Sequence, residues 1–260
     1  MSAMTGIAYD ARTTWSLMRR GINEIARVPG AAIPGVLAPS IFMCGLTAVF
    51  GNLTNLPGFT TDEYINFILP VGFLQGAAFT GAATGVNLAR DIELGWFDRL
   101  LASPAPRGVL LAGTVLSASL RVLMPVTLLM MVGLALGVSF PGVDGLLLAL
   151  FLAACFAAVA ACYGVIIAMR FKTQAAAPLM QAGVFMAVLF TTSYAPQALL
   201  TGWLHDVAKY NPVTQILEAV RQGFVGDVTW ADTWPGLLAL AGLAAVFVSL
   251  ALRSLRRSGQ

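Results

Sequence analysis

Residues 89–108 read ARDIELGWFDRLLASPAPRG. Arg90, Asp91, Glu93, Asp98, Arg99 and Arg107 place six charges within eighteen residues of a chain that is only 10% charged. On either side lie apolar blocks, 64–88 and 109–138. A hydrocarbon core about 30 Å thick takes roughly 20 apolar helical residues to cross, and each flank is long enough. The stretch therefore reads as a polar connection between two membrane spans. Working outward adds four more blocks, at 31–50, 145–169, 175–194 and 233–252. A hydrophobic fraction of 58% and a mean hydropathy of +0.82 exceed what soluble domains of this length use. The expected fold is an all-α membrane protein with six transmembrane helices.

The basic residues orient the spans. Arg12, Arg19, Arg20 and Arg27 precede the first span; Arg90, Arg99 and Arg107 follow the second. Arg170 and Lys172 follow the fourth, and Arg253, Arg256 and Arg257 follow the last. The opposite side has only Lys209 and Arg221, while Arg121 lies inside a span. The positive-inside rule then places both termini in the cytoplasm, and a multi-pass location in the plasma (inner) membrane is expected. The net charge of +3 reflects this anchoring and gives no reason to expect nucleic acid. The first thirty residues lack a cleavable signal pattern, so insertion is expected to use the spans themselves. Cys44, Cys155 and Cys162 all lie in apolar blocks and read as small packing residues.

Domain organisation follows. Residues 1–30 form an N-terminal arm whose 12–28 stretch is amphipathic. Trp15, Met18, Ile22 and Ile25 share one stripe, opposite Arg12, Arg19, Asn23 and Arg27, as suits a helix lying in the membrane interface. Residues 31–260 form the six-span membrane domain. Pro34 and Pro39 predict a kinked or late-starting first span. Gly72, Gly76, Gly81 and Gly85 read as close-packing positions, with a neighbouring subunit as one candidate partner. The 195–232 connection carries large apolar side chains, among them Trp203, Val207, Ile216, Leu217, Val220 and Phe224. It is divided by Asn211–Pro212, an N-cap followed by a first helical residue. Gly226 stops the second piece. Two helices too short to span, forming an outer re-entrant hairpin, are expected there.

In the opening stretch, treated as a helix, Ile92, Leu94, Trp96, Phe97, Leu100 and Leu101 cover an arc of roughly 200°. Glu93 sits in the middle of that arc, where lipid would penalise a carboxylate. Topology accounts for the arginines but leaves Glu93, Trp96 and Phe97 unexplained. A helix inserted into a pocket of another protein, which supplies a donor to Glu93, accounts for all three.

The pattern Asp91-x-Glu93-x-Gly95-x-x-Asp98-Arg99-Leu100-Leu101-x-Ser103-Pro104-x-x-Arg107 resembles the cytoplasmic segment of ABC-2 type transporter permeases, in their daunorubicin-resistance-like efflux branch. Tyr210-Asn211-Pro212-Val213-Thr214 followed by Glu218-Ala219-Val220-Arg221 is similar to the family's segment before the last span. The resemblance implies a membrane-spanning exporter subunit that moves hydrophobic or amphiphilic molecules, drugs or lipids. It implies a dimer with a second permease, identical or similar, and separate nucleotide-binding ATPase subunits that carry ATP and Mg. This chain has no GxxxxGK[ST] phosphate loop and is expected to hold no cofactor or metal of its own. Docking residues implied are Arg19, Arg90, Asp91, Glu93, Trp96, Phe97, Asp98, Arg99, Pro104 and Arg107, on the 89–107 coupling segment and the N-terminal helix. Trp203, Asn211, Pro212, Glu218 and Arg221 would build the outer hairpin. Phe73, Gln75, Phe79, Met180, Phe185, Phe190 and Tyr194 are candidates for a substrate path.

Arg121 has two readings, a cavity-facing residue for an anionic substrate, or a snorkelling or interhelically paired one in a long third helix. A polysaccharide or glycolipid exporter of the same superfamily is the alternative, disfavoured by the lack of an aromatic-rich span. An ion-coupled carrier would place acids near the bilayer midplane, whereas all twelve acids here fall outside spans or at their ends. The single His205 has no HExxH or GxSxG context, so catalysis within the chain is not expected.

Overall fold

The computed structural model describes residues 12–16, 18–19, 33–59, 61–101 and 106–257. Among them there are helices and turns but no strands. The helices are α1 (Ile33–Phe50), α2 (Tyr64–Glu93), the short α3 (Trp96–Leu101), α4 (Arg107–Arg121), α5 (Leu123–Ala135), α6 (Gly142–Phe171), α7 (Ala177–Leu189), α8 (Trp203–Tyr210), α9 (Pro212–Val225) and α10 (Trp230–Arg257). Residues 12–16 and 18–19 are helical, with Trp15 and Arg19 exposed. The remainder of the expected amphipathic helix, including Ile22, Ile25 and Arg27, lies outside the described residues.

Among the described residues, five helical stretches are long and apolar enough to cross a membrane: Gly35–Asn55, Tyr64–Glu93, Arg107–Ala135, Gly142–Phe171 and Trp230–Arg257. The expected span at 175–194 is different. It is helical only over Gln174–Leu189, about 24 Å at 1.5 Å per residue, and residues 190–195 continue it as irregular backbone. The first span is helical from Ile33 straight through Pro39. The third is divided into α4 and α5 at Val122, where Pro125 offers no N–H to the Arg121 carbonyl.

Helix α2 is the centre of the bundle. Phe67, Ile68, Leu69, Val71, Phe73, Leu74 and Ala77 are all buried, and α2 packs against α1, α4, α5, α6, α7 and α9. The glycines expected to let helices approach do so within the chain. A Cβ on Gly81 would meet Ala160 Cβ at 2.4 Å, and one on Gly85 would meet the Gly164 backbone at 2.5 Å. Gly72 lies under Leu129. The subunit-contact reading is therefore corrected for Gly81 and Gly85, whose partner is α6.

The hairpin divides as expected. The Asn211 side chain accepts from Val213 N at 3.0 Å, Pro212 opens α9, and Gly226 follows its last residue. Its apolar face is not spread over lipid, however. Ile216, Leu217, Val220 and Phe224 are buried against the chain's own core, while Trp203, Val207 and Tyr210 of α8 stay exposed.

Gly85→Val is expected to lower stability by about 1–3 kcal/mol, because α2 and α6 must separate to admit the branched side chain. Gly45→Ala on α1, which meets nothing within 4 Å, is expected to be neutral or stabilising by up to about 1 kcal/mol. Thermal unfolding of the two variants in detergent checks both.

Candidate functional site

Two polar clusters lie at opposite ends of α2, and each joins elements far apart in sequence. At the Glu93 end, the α2–α6 contact sets the register. Gly85 touches Gly164, and eight residues further along each helix (93 − 85 and 172 − 164) the chain reaches Glu93 and Lys172. Glu93 therefore lies level with the loop that leaves α6. Its Oε1 accepts from Thr173 Oγ1 at 2.6 Å and from Gln174 N at 3.1 Å; its Oε2 accepts from Gln174 Nε2 at 2.7 Å. The donors expected from another protein are supplied by this chain, and that part of the docking argument is corrected. Lys172, in the left-handed conformation at φ 55°, ends α6 and turns the chain towards Glu93.

The aromatic pair is also partly internal. Phe97 is 4% exposed and packs with Leu111, Cys162, Val165, Met169, Ala251 and Leu255. It fastens α3 to α4, α6 and α10 and is no external plug. Trp96 is half-buried beside it, whereas Arg90, Leu94 and Arg99 are exposed on the same segment. Gly95, at φ 68°, makes the turn between α2 and α3 that a β-carbon would strain. Asp91 and Arg107 are half-buried. The Asp98 side chain and Pro104 lie outside the described residues.

Beside α3 is a pocket of about 80 Å³ with mixed walls, polar at Thr84, Asn87, Asp91, Thr114, Ser117 and Arg121 and apolar at Leu88, Phe97, Leu110, Leu111 and Val165, among others. Arg121 is 7% exposed and donates to Thr84 Oγ1 on α2. Arg121 thus bonds across helices, as one of its two sequence readings has it, and also borders this pocket.

At the other end, the irregular stretch after α7 is held by side chains from three directions. Asn211 Nδ2 donates to the carbonyls of Ala187 at 2.7 Å and Phe190 at 2.9 Å. Arg221 Nη2 donates to the Thr192 carbonyl at 2.8 Å, and Tyr64 Oη donates to the Tyr194 carbonyl at 2.8 Å. Arg221 is 1% exposed; it also donates to the Phe67 carbonyl at 3.1 Å and to Glu218 Oε1 at 2.7 Å. Its guanidinium sits 3.7 Å from the Phe67 ring centroid. Arg221 is therefore no loop charge, as its place in the topology count implied. Sequence reading missed Tyr64, Phe67 and Thr192; the signal available was the run Thr191–Thr192–Ser193 closing an apolar block.

The residues nominated for a substrate path divide: Phe79, Phe185 and Tyr194 are half-buried and Phe190 is exposed, whereas the others are core. Phe73 and Met180 are 0% exposed and Gln75 is 1% exposed. Phe73 meets Phe224 edge-on, Phe79 stacks on Phe185, and Phe190 meets Trp203 edge-on. The larger apolar cleft, about 350 Å³, lies instead between α6, α7, α9 and α10. Phe156, Tyr163, Val184, Leu243 and Phe247 are among its walls. Tyr163 reaches across it to donate to the Leu179 carbonyl at 3.2 Å, over Gly183, where a Cβ would lie 2.2 Å from the hydroxyl.

The sequence pattern of the ABC-2 type transporter family matches residues 12–225. The chain belongs to that family. It is 29% identical over 259 residues to a daunorubicin resistance ABC transporter permease protein of Streptomyces coeruleorubidus, covering 96% of this chain and 88% of that one. Identity is 28% over 248 residues to a probable doxorubicin resistance ABC transporter permease protein of Mycobacterium tuberculosis, covering 92% and 85%. A probable multidrug ABC transporter permease of Escherichia coli is 25% identical over 167 residues, 61% of this chain and 44% of that one. The ABC-2 match takes in both polar clusters, from Glu93 to Arg221.

Arg221→Ala is expected to destabilise the protein by about 3–5 kcal/mol, because it leaves the Thr192 and Phe67 carbonyls without this donor. Arg221→Lys is expected to restore only part of that loss, since an ammonium cannot reproduce the planar fork. Thermal unfolding of purified variants, read alongside Glu218→Gln, checks the order.

Proposed function

We propose that this protein is the membrane subunit of an ATP-driven exporter of hydrophobic or amphiphilic molecules, drugs or lipids. Two permeases, identical or similar, pair in the plasma (inner) membrane with six crossings each and both termini cytoplasmic. Separate ATPase subunits bind ATP and Mg and dock on the 89–107 segment together with the N-terminal helix. The observation that carries this reading is the family match, joined to the form of the 89–107 segment. Buried Phe97 roots the short helix in the bundle, and the exposed Arg90, Leu94 and Arg99 leave it a charged and apolar face for a partner. The relatives named for daunorubicin, doxorubicin and multidrug transport support the substrate class. The asymmetric distribution of Lys and Arg supports the orientation. The sixth crossing is α7 completed by the side-chain-satisfied stretch 190–195.

The docking face is tested by co-purification with a candidate ATPase. Arg90→Glu combined with Arg99→Glu is expected to weaken the association roughly tenfold or more while the permease still folds. Unchanged binding would place the ATPase elsewhere. ATP-independent transport by the chain alone, driven by an ion gradient, would overturn the exporter reading.

A further inference from the structure

Helix α7 is held at its two ends in very different ways. Its far end, with the stretch that follows, is gripped by Asn211, Arg221 and Tyr64, and Thr191, Thr192 and Ser193 there are all buried. Its near end is held by Glu93, whose bonds to Thr173 and Gln174 are exposed to solvent, and by the likewise exposed bond from the Tyr163 hydroxyl to the Leu179 carbonyl. An exposed hydrogen bond contributes little net stability because water replaces either partner. Several partly buried bonds and a guanidinium in an apolar site resist exchange far more strongly. Between the ends, α7 lies on α2 through the Phe79–Phe185 stack and buried Met180. Its other flank borders the 350 Å³ cleft, where it has room to move. One fixed end, one releasable end and an open flank are the parts of a lever.

We infer that Glu93, Thr173 and Gln174 form a coupling clasp through which movement of the 89–107 segment is passed to α7. α7 then pivots about its Asn211–Arg221–Tyr64 anchor and changes the width of the cleft beside Tyr163. Glu93 is the last residue of α2 and adjoins the Leu94–Gly95 turn into α3, so a displacement of α3 acts on its carboxylate first. That carboxylate accepts from the backbone N–H of Gln174, the first residue of the helical stretch that becomes α7. Glu93, Thr173 and Gln174 are positioning residues for transport; none of the three lines the cleft. The inference rests on the exporter reading above, in which an ATPase moves the 89–107 segment.

The test uses the reconstituted permease–ATPase complex in proteoliposomes, with radiolabelled daunorubicin as the probe. Thr173→Val with Gln174→Ala leaves the docking segment untouched. It is expected to keep ATPase binding and ATP hydrolysis within about twofold of wild type, while daunorubicin moved per ATP falls roughly tenfold. Thr173→Ser is expected to transport normally. Glu93→Ala is expected to lower the same ratio, and the triple variant to be no worse than the stronger parent, because all three changes open one clasp. Wild-type transport per ATP in Thr173→Val with Gln174→Ala, or losses that multiply in the triple variant, would overturn the clasp. So would a loss of transport that merely follows a loss of ATPase binding. Failure of the wild-type chain to bind any ATPase overturns the exporter reading instead, and the two failures are separated by that control.

Discussion

Backbone carbonyls that leave a helix inside an apolar environment must find donors, because no water is there to supply them. At the end of α7 this constraint is met by side chains. Asn211 takes the carbonyls of Ala187 and Phe190, Arg221 takes that of Thr192, and Tyr64 takes that of Tyr194. Much of the architecture follows from satisfying them. Arg221 must lie on α9 facing inward, so α9 is drawn into the core. Asn211 must cap two helices at once, so α8 and α9 meet beside α7. Tyr64 must open α2 at the same level. A charge so deeply buried is tolerated because Glu218, two carbonyls and the face of Phe67 surround it.

The second organising contact is the approach of α2 and α6 at Gly85 and Gly164. Small residues let the two backbones touch, which in lipid substitutes for the hydrophobic drive available in water. Because both helices run in the same direction from this contact, their last residues end level with each other. That places Glu93 against the α6–α7 loop. A packing decision in the middle of the bundle thereby sets a polar contact at its charged end.

These two constraints give α7 its unusual character. It is the shortest of the expected spans; Asn211 bonds its last turn, Arg221 and Tyr64 hold the stretch that follows, and exposed hydrogen bonds to Glu93 hold the chain just before it. Its flank borders an apolar cleft that the Tyr163 hydroxyl crosses to reach the Leu179 carbonyl. By contrast, α2 is buried along most of its length, where α7 buries only Met180, Val184 and Val188.

The apolar blocks and the distribution of Lys and Arg specify an all-helical membrane chain, since the bilayer requires both length and apolarity of each crossing. Asn211–Pro212 and Gly226 specify the hairpin's division and its end, because capping and φ preferences are local. The family is legible in the charged segment and in the Asn-Pro stretch. The destinations of individual side chains are not local properties. Glu93 looked like a carboxylate seeking a foreign donor, and Phe97 like an exposed aromatic, until the fold brought Thr173, Gln174 and the α4–α6–α10 cluster to them. Arg221 counted as a loop charge because a sequence cannot show that Phe67 and Thr192, 154 and 29 residues away, converge on its guanidinium. Local chemistry determined the helices, their ends and the medium around them. Which polar group meets which was decided by tertiary structure, because partners so distant in sequence become neighbours only when the helices pack.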